Sequence, residues 1–424
     1  MAIVYWKGGA SAVAQVADAS IDTYDAASTY TVTIGGYTVS VAGDTDVATT
    51  AAALVAALNL ATVPYFAAIT WSVPSGSTIR ATADVAGAPF VAALSVAGGT
   101  GTVTSFSDAT ACTGPHHADE VENWSSGALP TTADEVVIDS GASILYGLDA
   151  LTAVALSRAT VRQTYAGLIG LEPSQFATSL DGVSVDVAFR EYRDAYFELS
   201  ADEITVGEEV VAGVSTGSAR LCIEQKKAGT SVLRVETTSA SGLNGRPVVR
   251  FLAAHASADV QIATAPGGLG IATEAGETAT VGAVFSTTDD ASTSVIIGQG
   301  VTYTSYSQAG GTGRVAAAAT VSVVEQLGGT LTLYGFDYLI SNLRLYGGTL
   351  TDIHENTGGA EWTTILVAGG TLVLPTGIAA SRAFTTMSLQ AGRVEADWSA
   401  LTGTVSVVVD TNVKNTRALE ITAL

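Results

Sequence analysis

Gly310-Gly311-Thr312, Gly328-Gly329-Thr330-Leu331, Gly347-Gly348-Thr349-Leu350 and Gly369-Gly370-Thr371-Leu372 recur toward the end of this 424-residue chain, followed by a degenerate copy, Ala391-Gly392-Arg393-Val394. Successive copies are offset by 18, 19, 22 and 22 residues. Alternating apolar positions flank them: Leu343 and Leu345 precede one glycine pair, Ile365 and Val367 another, and Leu331 and Leu333 follow a third. A turn of chain with two or three short strands and tight bends needs about this length, and strands of successive turns stack at about 4.8 Å. Glycine can take the positive φ of such corners, and threonines can stack as hydroxyl ladders. The pattern predicts a parallel (right-handed) β-helix.

Other architectures of similar period fit less well. A leucine-rich repeat needs an L-x-x-L-x-L framework with Asn, which this chain lacks, and propeller blades are about twice as long. A stack of β-hairpins would give similar local alternation and stays open. Strand-like runs continue upstream at Val183–Val187, Leu221–Glu224, Val232–Val235, Val248–Leu252 and Val295–Ile297 with less regular spacing, so coils there should carry longer loops. The rod is expected over residues 133–424.

Composition agrees. Hydrophobic residues are 47% of the chain but aromatics only 7%, so the apolar content is mostly small and branched aliphatics, which suit stacked strands. Forty-five glycines against nine prolines favour many tight bends over long helices. The formal charge of −22 repels a phosphate backbone and excludes nucleic acid as the expected partner. Cys112 and Cys222 lie far apart with no C-x-x-C spacing, so no disulfide framework or cofactor is expected. The first residues show no signal peptide, and Thr49–Ala61 is too short to span a bilayer, so the expectation is cytoplasmic synthesis with no membrane partner.

Residues 1–107 read as a small α+β unit. Tyr30, Val32 and Ile34, then Tyr37, Val39 and Val41, alternate around Gly35-Gly36, a hairpin signature. Asp46 is placed to cap a helix over Val47–Leu58, with Asn59 as its stop. Further strands are expected at Ala68–Val73, Thr78–Asp84 and Phe90–Val96, with a loop at Gly98–Gly101. Residues 108–132 are polar and turn-rich, and read as a linker and cap in which Trp124 covers the open end of the first coil.

The run TYTVTIGGYTVSV at 29–41, the Ala-rich helix, and ATADVAGAPFVAALSVAGGTGT at 81–102 together resemble a module of tailed-bacteriophage structural proteins. Val4–Val16 (VYWKGGASAVAQV) and Asn123–Leu148 are similar to an uncharacterised group of phage and prophage virion proteins. The resemblance implies virion assembly and brings no catalytic residues with it.

Chemistry-bearing residues are few. Cys112, His116, His117 and Asp119, with Glu120 beside them, place thiolate, imidazole and carboxylate within nine residues. Zinc uses such ligands, but the offsets match no established pattern, and a solvated loop is expected. Asp202, Glu203, Glu208, Glu209, Asp289 and Asp290 are the acid pairs that a glycan-cleaving rod would need, although strand neighbours point to opposite faces and solvated charge is the simpler reading. Gly213-Val214-Ser215-Thr216-Gly217 matches G-x-S-x-G without the helix a nucleophile elbow requires. The Gly-rich stretches lack a G-K-[ST] ending, and His255 and His354 have no recognisable partners. Lys226-Lys227 is too small for a nucleic-acid patch. Tyr303 and Tyr306, or Tyr334 and Tyr338, are the sugar-stacking candidates, against packing within the rod.

The sequence-based expectation is therefore a non-enzymatic virion protein that decorates or cements a capsid. Its partners would be the major capsid protein or other virion proteins, with a trimer as the oligomer suggested by other phage rods. The alternative is a tail fibre or tailspike that binds host glycans, with or without depolymerase activity.

Overall fold

The computed structural model describes residues 2–171, 177–178, 184–185, 196–208, 217–274, 276–316, 320–334, 339–353, 362–374, 382–396, 401–407 and 419–423. The chain is mainly β, and its larger part is a parallel β-solenoid of about nine turns. At about 4.8 Å per turn its axis runs for roughly 40 Å.

Among the described residues two long parallel ladders run through successive turns of the solenoid, and a short third one pairs Ala279–Thr280 with Val301–Thr302. In the repeat region the first ladder stacks Ser305–Gln308, Val321–Gln326, Ile340–Leu345, Trp362–Val367 and Arg382–Leu389. The second stacks Thr312–Ala316, Thr330–Tyr334, Thr349–Asp352, Thr371–Leu374 and Gly392–Ala396. Register keeps like above like. Tyr306, Val324, Leu343, Ile365 and Met387 form one inward column, and Leu331, Leu350, Leu372 and Val394 another, all buried. Strands at Leu221–Gln225, Ser231–Val235, Val249–Ala253 and Ser294–Ile297 continue the ladders upstream, close to their expected positions. The expected Val183–Val187 run lies largely outside the described residues; Ser184–Val185 pairs antiparallel with Ala177–Thr178.

The two glycines of each pair are needed for different reasons. Gly311, Gly329, Gly348, Gly370 and Gly392 have φ between +71° and +99°, the left-handed region that L side chains avoid. Each is also roofed by the turn before it: a Cβ on Gly348 would sit 2.2 Å from the Gly329 carbonyl oxygen. Gly310, Gly328, Gly347 and Gly369 are constrained by contact alone, since a Cβ on them would meet the backbone of the preceding turn at 2.2–2.5 Å. This close approach lets Thr330 N donate to Gly311 O, Thr349 N to Gly329 O, and Thr371 N to Gly348 O, at 2.8–2.9 Å. Buried Gln326 completes the corner, its Nε2 donating to the carbonyls of Gly328, Gly329 and Thr349.

The small unit folds around its own core. A four-stranded antiparallel sheet (order Ile69–Ser72, Thr78–Ala83, Val16–Thr23, Thr102–Thr110) and a three-stranded one (Tyr37–Ala42, Thr29–Ile34, Ala93–Ala97) enclose Tyr30, Leu54, Phe66, Trp71 and Phe90. The hairpin turns at Gly35-Gly36, both with positive φ. The helix spans Val47–Asn59, capped by Asp46, whose carboxylate accepts from Thr49 N at 2.8 Å.

Both ends of this unit differ from those expected for residues 1–107. Ile3–Tyr5 is no part of it: that strand pairs in parallel with Glu135–Ile138, and Val4 and Trp6 belong to the solenoid core. The unit's last strand, Thr102–Thr110, runs past Asp108, and the chain pinches at a bridge between Val13 and Thr113. The small unit is thus inserted between the first two strands of the solenoid. Residues 114–132 are packed structure, with Ala118 and Trp124 fully buried in the solenoid core. Trp124 meets Trp6 edge-on at 5.1 Å, and its indole N–H donates to Ala118 O.

Candidate functional site

Several of the rod's candidate carboxylates are held in ion pairs. Arg158 bonds Glu208 at 2.7 Å and Glu203 at 3.1 Å, and Arg234 bonds Glu203 at 3.0 Å, so an ion-pair row ties successive turns together. Asp202 pairs with Lys227, and Lys226 bridges Glu224 and Glu198. Asp290 accepts from Ser292 and Thr293 within its own turn. These carboxylates are occupied in holding strands and bends; Glu209, His354 and Gly213–Thr216 lie outside the described residues. Tyr303 and Tyr306 are inside the core and offer no face to a sugar. Tyr334 is covered by the Arg314 guanidinium at 4.7 Å, and Tyr338 lies outside the described residues.

A cavity of about 400 Å³ opens where the small unit meets the solenoid. Gln15, Pro89 and Asp108 come from the small unit, Cys112, His117 and Asp119 from the connecting segment, and Tyr146, Leu148, Asp149, Tyr196 and Glu198 from the first solenoid turns. Asn123 fixes the connecting segment. Fully buried, it donates from Nδ2 to the carbonyls of Gly114 and His117, both at 2.8 Å, and accepts from Ala10 N. Gly147 makes room for Asp119, because a Cβ there would lie 2.2 Å from the carboxylate. The signal for Asn123 in the sequence is slight, a polar residue beside an expected cap tryptophan.

His117 was expected in a solvated loop and is instead 4% exposed, because the Gly87 turn and the Tyr146 ring, 5.0 Å away, close over it. Its Nε2 lies 3.1 Å from Gly87 O and 3.7 Å from Cys112 Sγ, while Nδ1 faces Asp119 Oδ1 at 3.6 Å. Acceptors thus stand on both sides of the ring, which favours the doubly protonated form. Burial alone would lower its pKa; the Asp119 carboxylate, the Cys112 sulfur and the Gly87 carbonyl overcome this and raise it to about 9. The same contact holds Asp119 below the usual carboxylate range. His116 turns away, its Nδ1 on Ser143 O at 2.9 Å. The four candidate metal ligands are therefore not gathered, and among the described residues no group of His, Cys, Asp and Glu has the arrangement of a metal site.

Compared with protein-family models and with curated proteins, the chain matches none.

Proposed function

We propose that the chain is a structural protein of a tailed-phage-type particle, decorating or cementing the capsid through contacts with the major capsid protein or another virion protein. The observation that carries this reading is the parallel backbone ladder through about nine turns, locked by glycine corners and cross-turn ion pairs. Such a rod supplies stiffness and a large side surface, which a reinforcing element needs and a small-molecule enzyme does not. The likeness of residues 30–103 to phage structural modules gives the small unit the role of attachment. The net charge of −22 suits a protein surface as partner and opposes binding to packaged nucleic acid. Adding purified protein to assembled heads that lack it should give co-sedimentation and raise the temperature at which the heads burst. Heads that neither bind it nor gain heat resistance would remove the reading.

A further inference from the structure

We propose that Cys112, with His117 and Asp119, forms a nucleophilic thiol site in the cavity between the small unit and the solenoid, and that it takes small cationic disulfides. This goes beyond the structural role above and does not rest on it. Three observations converge. Cys112 is a free, half-buried cysteine that lines an open cavity, whereas Cys222 is fully buried. The ring 3.7 Å from its sulfur is held between the Gly87 carbonyl and the Asp119 carboxylate, so it carries a positive charge there. The charged ring stands where it can pair with the negative sulfur that attacks a disulfide. The other charged residues facing the cavity, Asp108, Asp149 and Glu198, are all acidic, Glu198 being paired with Lys226, and Tyr146 and Tyr196 complete its titratable lining. A cationic reagent is drawn into such a cleft and an anionic one repelled.

The step is thiol–disulfide exchange. The Cys112 sulfur attacks one sulfur of R–S–S–R, a Cys112–S–S–R bond forms, and the R–S–S–R bond breaks. R–S⁻ leaves with the electron pair and takes a proton from solvent; Cys112 is oxidised and the reagent reduced. His117 is the charge partner of the sulfur. Asp119 is a positioning residue that acts through His117.

The test treats the full chain with cystamine at about pH 6.5 and follows adducts by intact mass and peptide mapping. One adduct is expected, at Cys112, formed at least about tenfold faster than on glutathione under the same conditions, with Cys222 unmodified as an internal control. Neutral hydroxyethyl disulfide should react more slowly and anionic dithiodipropionate more slowly still, the differences shrinking at about 0.5 M salt. His117→Gln should bring the rate down to that of glutathione, Asp119→Asn should lower it part of the way, and Asp119→Glu should restore part of the loss. A wild-type rate no higher than that of glutathione would overturn the site, as would a folded His117→Gln protein reacting like wild type. Equal rates for the three disulfides would overturn the cationic class. Should His117→Gln fail to fold, the wild-type rate and the charge order decide alone.

Discussion

Replacing Gly348 by Ala separates the two demands made at a solenoid corner. Its φ of +76° costs an L residue about 1 kcal/mol or somewhat more. The added Cβ would also lie 2.2 Å from Gly329 O and 2.8 Å from Gln326 Nε2, and relieving such overpacking costs typically about 1–3 kcal/mol. Together the loss is roughly 2–4 kcal/mol, which lowers the protection of nearby amides by about thirty-fold to nearly a thousand-fold. Two companions divide it. Gly245→Ala, at φ +74° with nothing within 4 Å of the new Cβ, tests the backbone contribution alone. Gly347→Ala, whose Cβ would meet Leu327 O at 2.4 Å without a positive φ, tests the clash alone. Hydrogen exchange is the suitable assay, because a repeat array opens locally and a single global unfolding energy is poorly defined. The amides of Thr349, bonded to Gly329 O, and Thr371, bonded to Gly348 O, should lose protection first. If Gly348→Ala costs no more than Gly245→Ala, the close stacking of glycine corners is not what fixes the turns.

Removing the indole of fully buried Trp124 by Trp124→Ala should cost about 3–5 kcal/mol, read as lost hydrogen-exchange protection of the surrounding amides; a loss below about 1 kcal/mol would place the side chain outside the core. Gln326→Glu sets a carboxylate against the carbonyls of Gly328, Gly329 and Thr349 and should destabilise by about 3 kcal/mol or more, whereas Gln326→Leu, matching Leu345 one turn later, should cost only about 1 kcal/mol; equal losses would refute the role of Nε2 as donor. His117 holds its proton more tightly folded (about 9) than unfolded (6.5), so its contribution is full below about pH 6.5 and is lost as the pH rises through about 9. His117→Gln should abolish that alkaline step in thermal melts, and an unchanged step would assign it elsewhere. Asp134, which accepts from Ala2 N and from Thr131, is held down to about 2, so its contribution is present above about pH 4 and lost as the pH falls through about 2. Asp134→Asn should free the first strand and expose Tyr5 to early proteolysis at neutral pH; unaltered cleavage would count against this tether.

The solenoid was legible because its code is local. Each glycine pair carries its corner in its own residues, and the 18- to 22-residue offsets are the length of a turn. The hairpin at Gly35-Gly36 and the helix behind Asp46 were legible for the same reason. The strand Val16–Thr23 was missed although it alternates, because its inward residues include Ala17 and Ala19, which are too small to stand out beside Asp18 and Ser20. Pairing of Ile3–Tyr5 with Glu135–Ile138 joins segments about 130 residues apart, which no local period encodes. The buried glutamines left a faint trace: Gln308 and Gln326 each stand two residues before a glycine pair. Burial of His117 depended on Gly87 and Tyr146, contributed by distant segments, so its loop read as solvated.

Because the small unit leaves the solenoid after Trp6 and returns through the Val13–Thr113 neck, two covalent crossings join it to the rod. A body hung on one strand swivels freely. One held by two strands, with Asn123 spanning them from Ala10 to His117, resists twisting about the rod axis. Whatever grips the small unit therefore also sets the rotational heading of the rod, so a single attachment point is enough to aim the long face of the molecule.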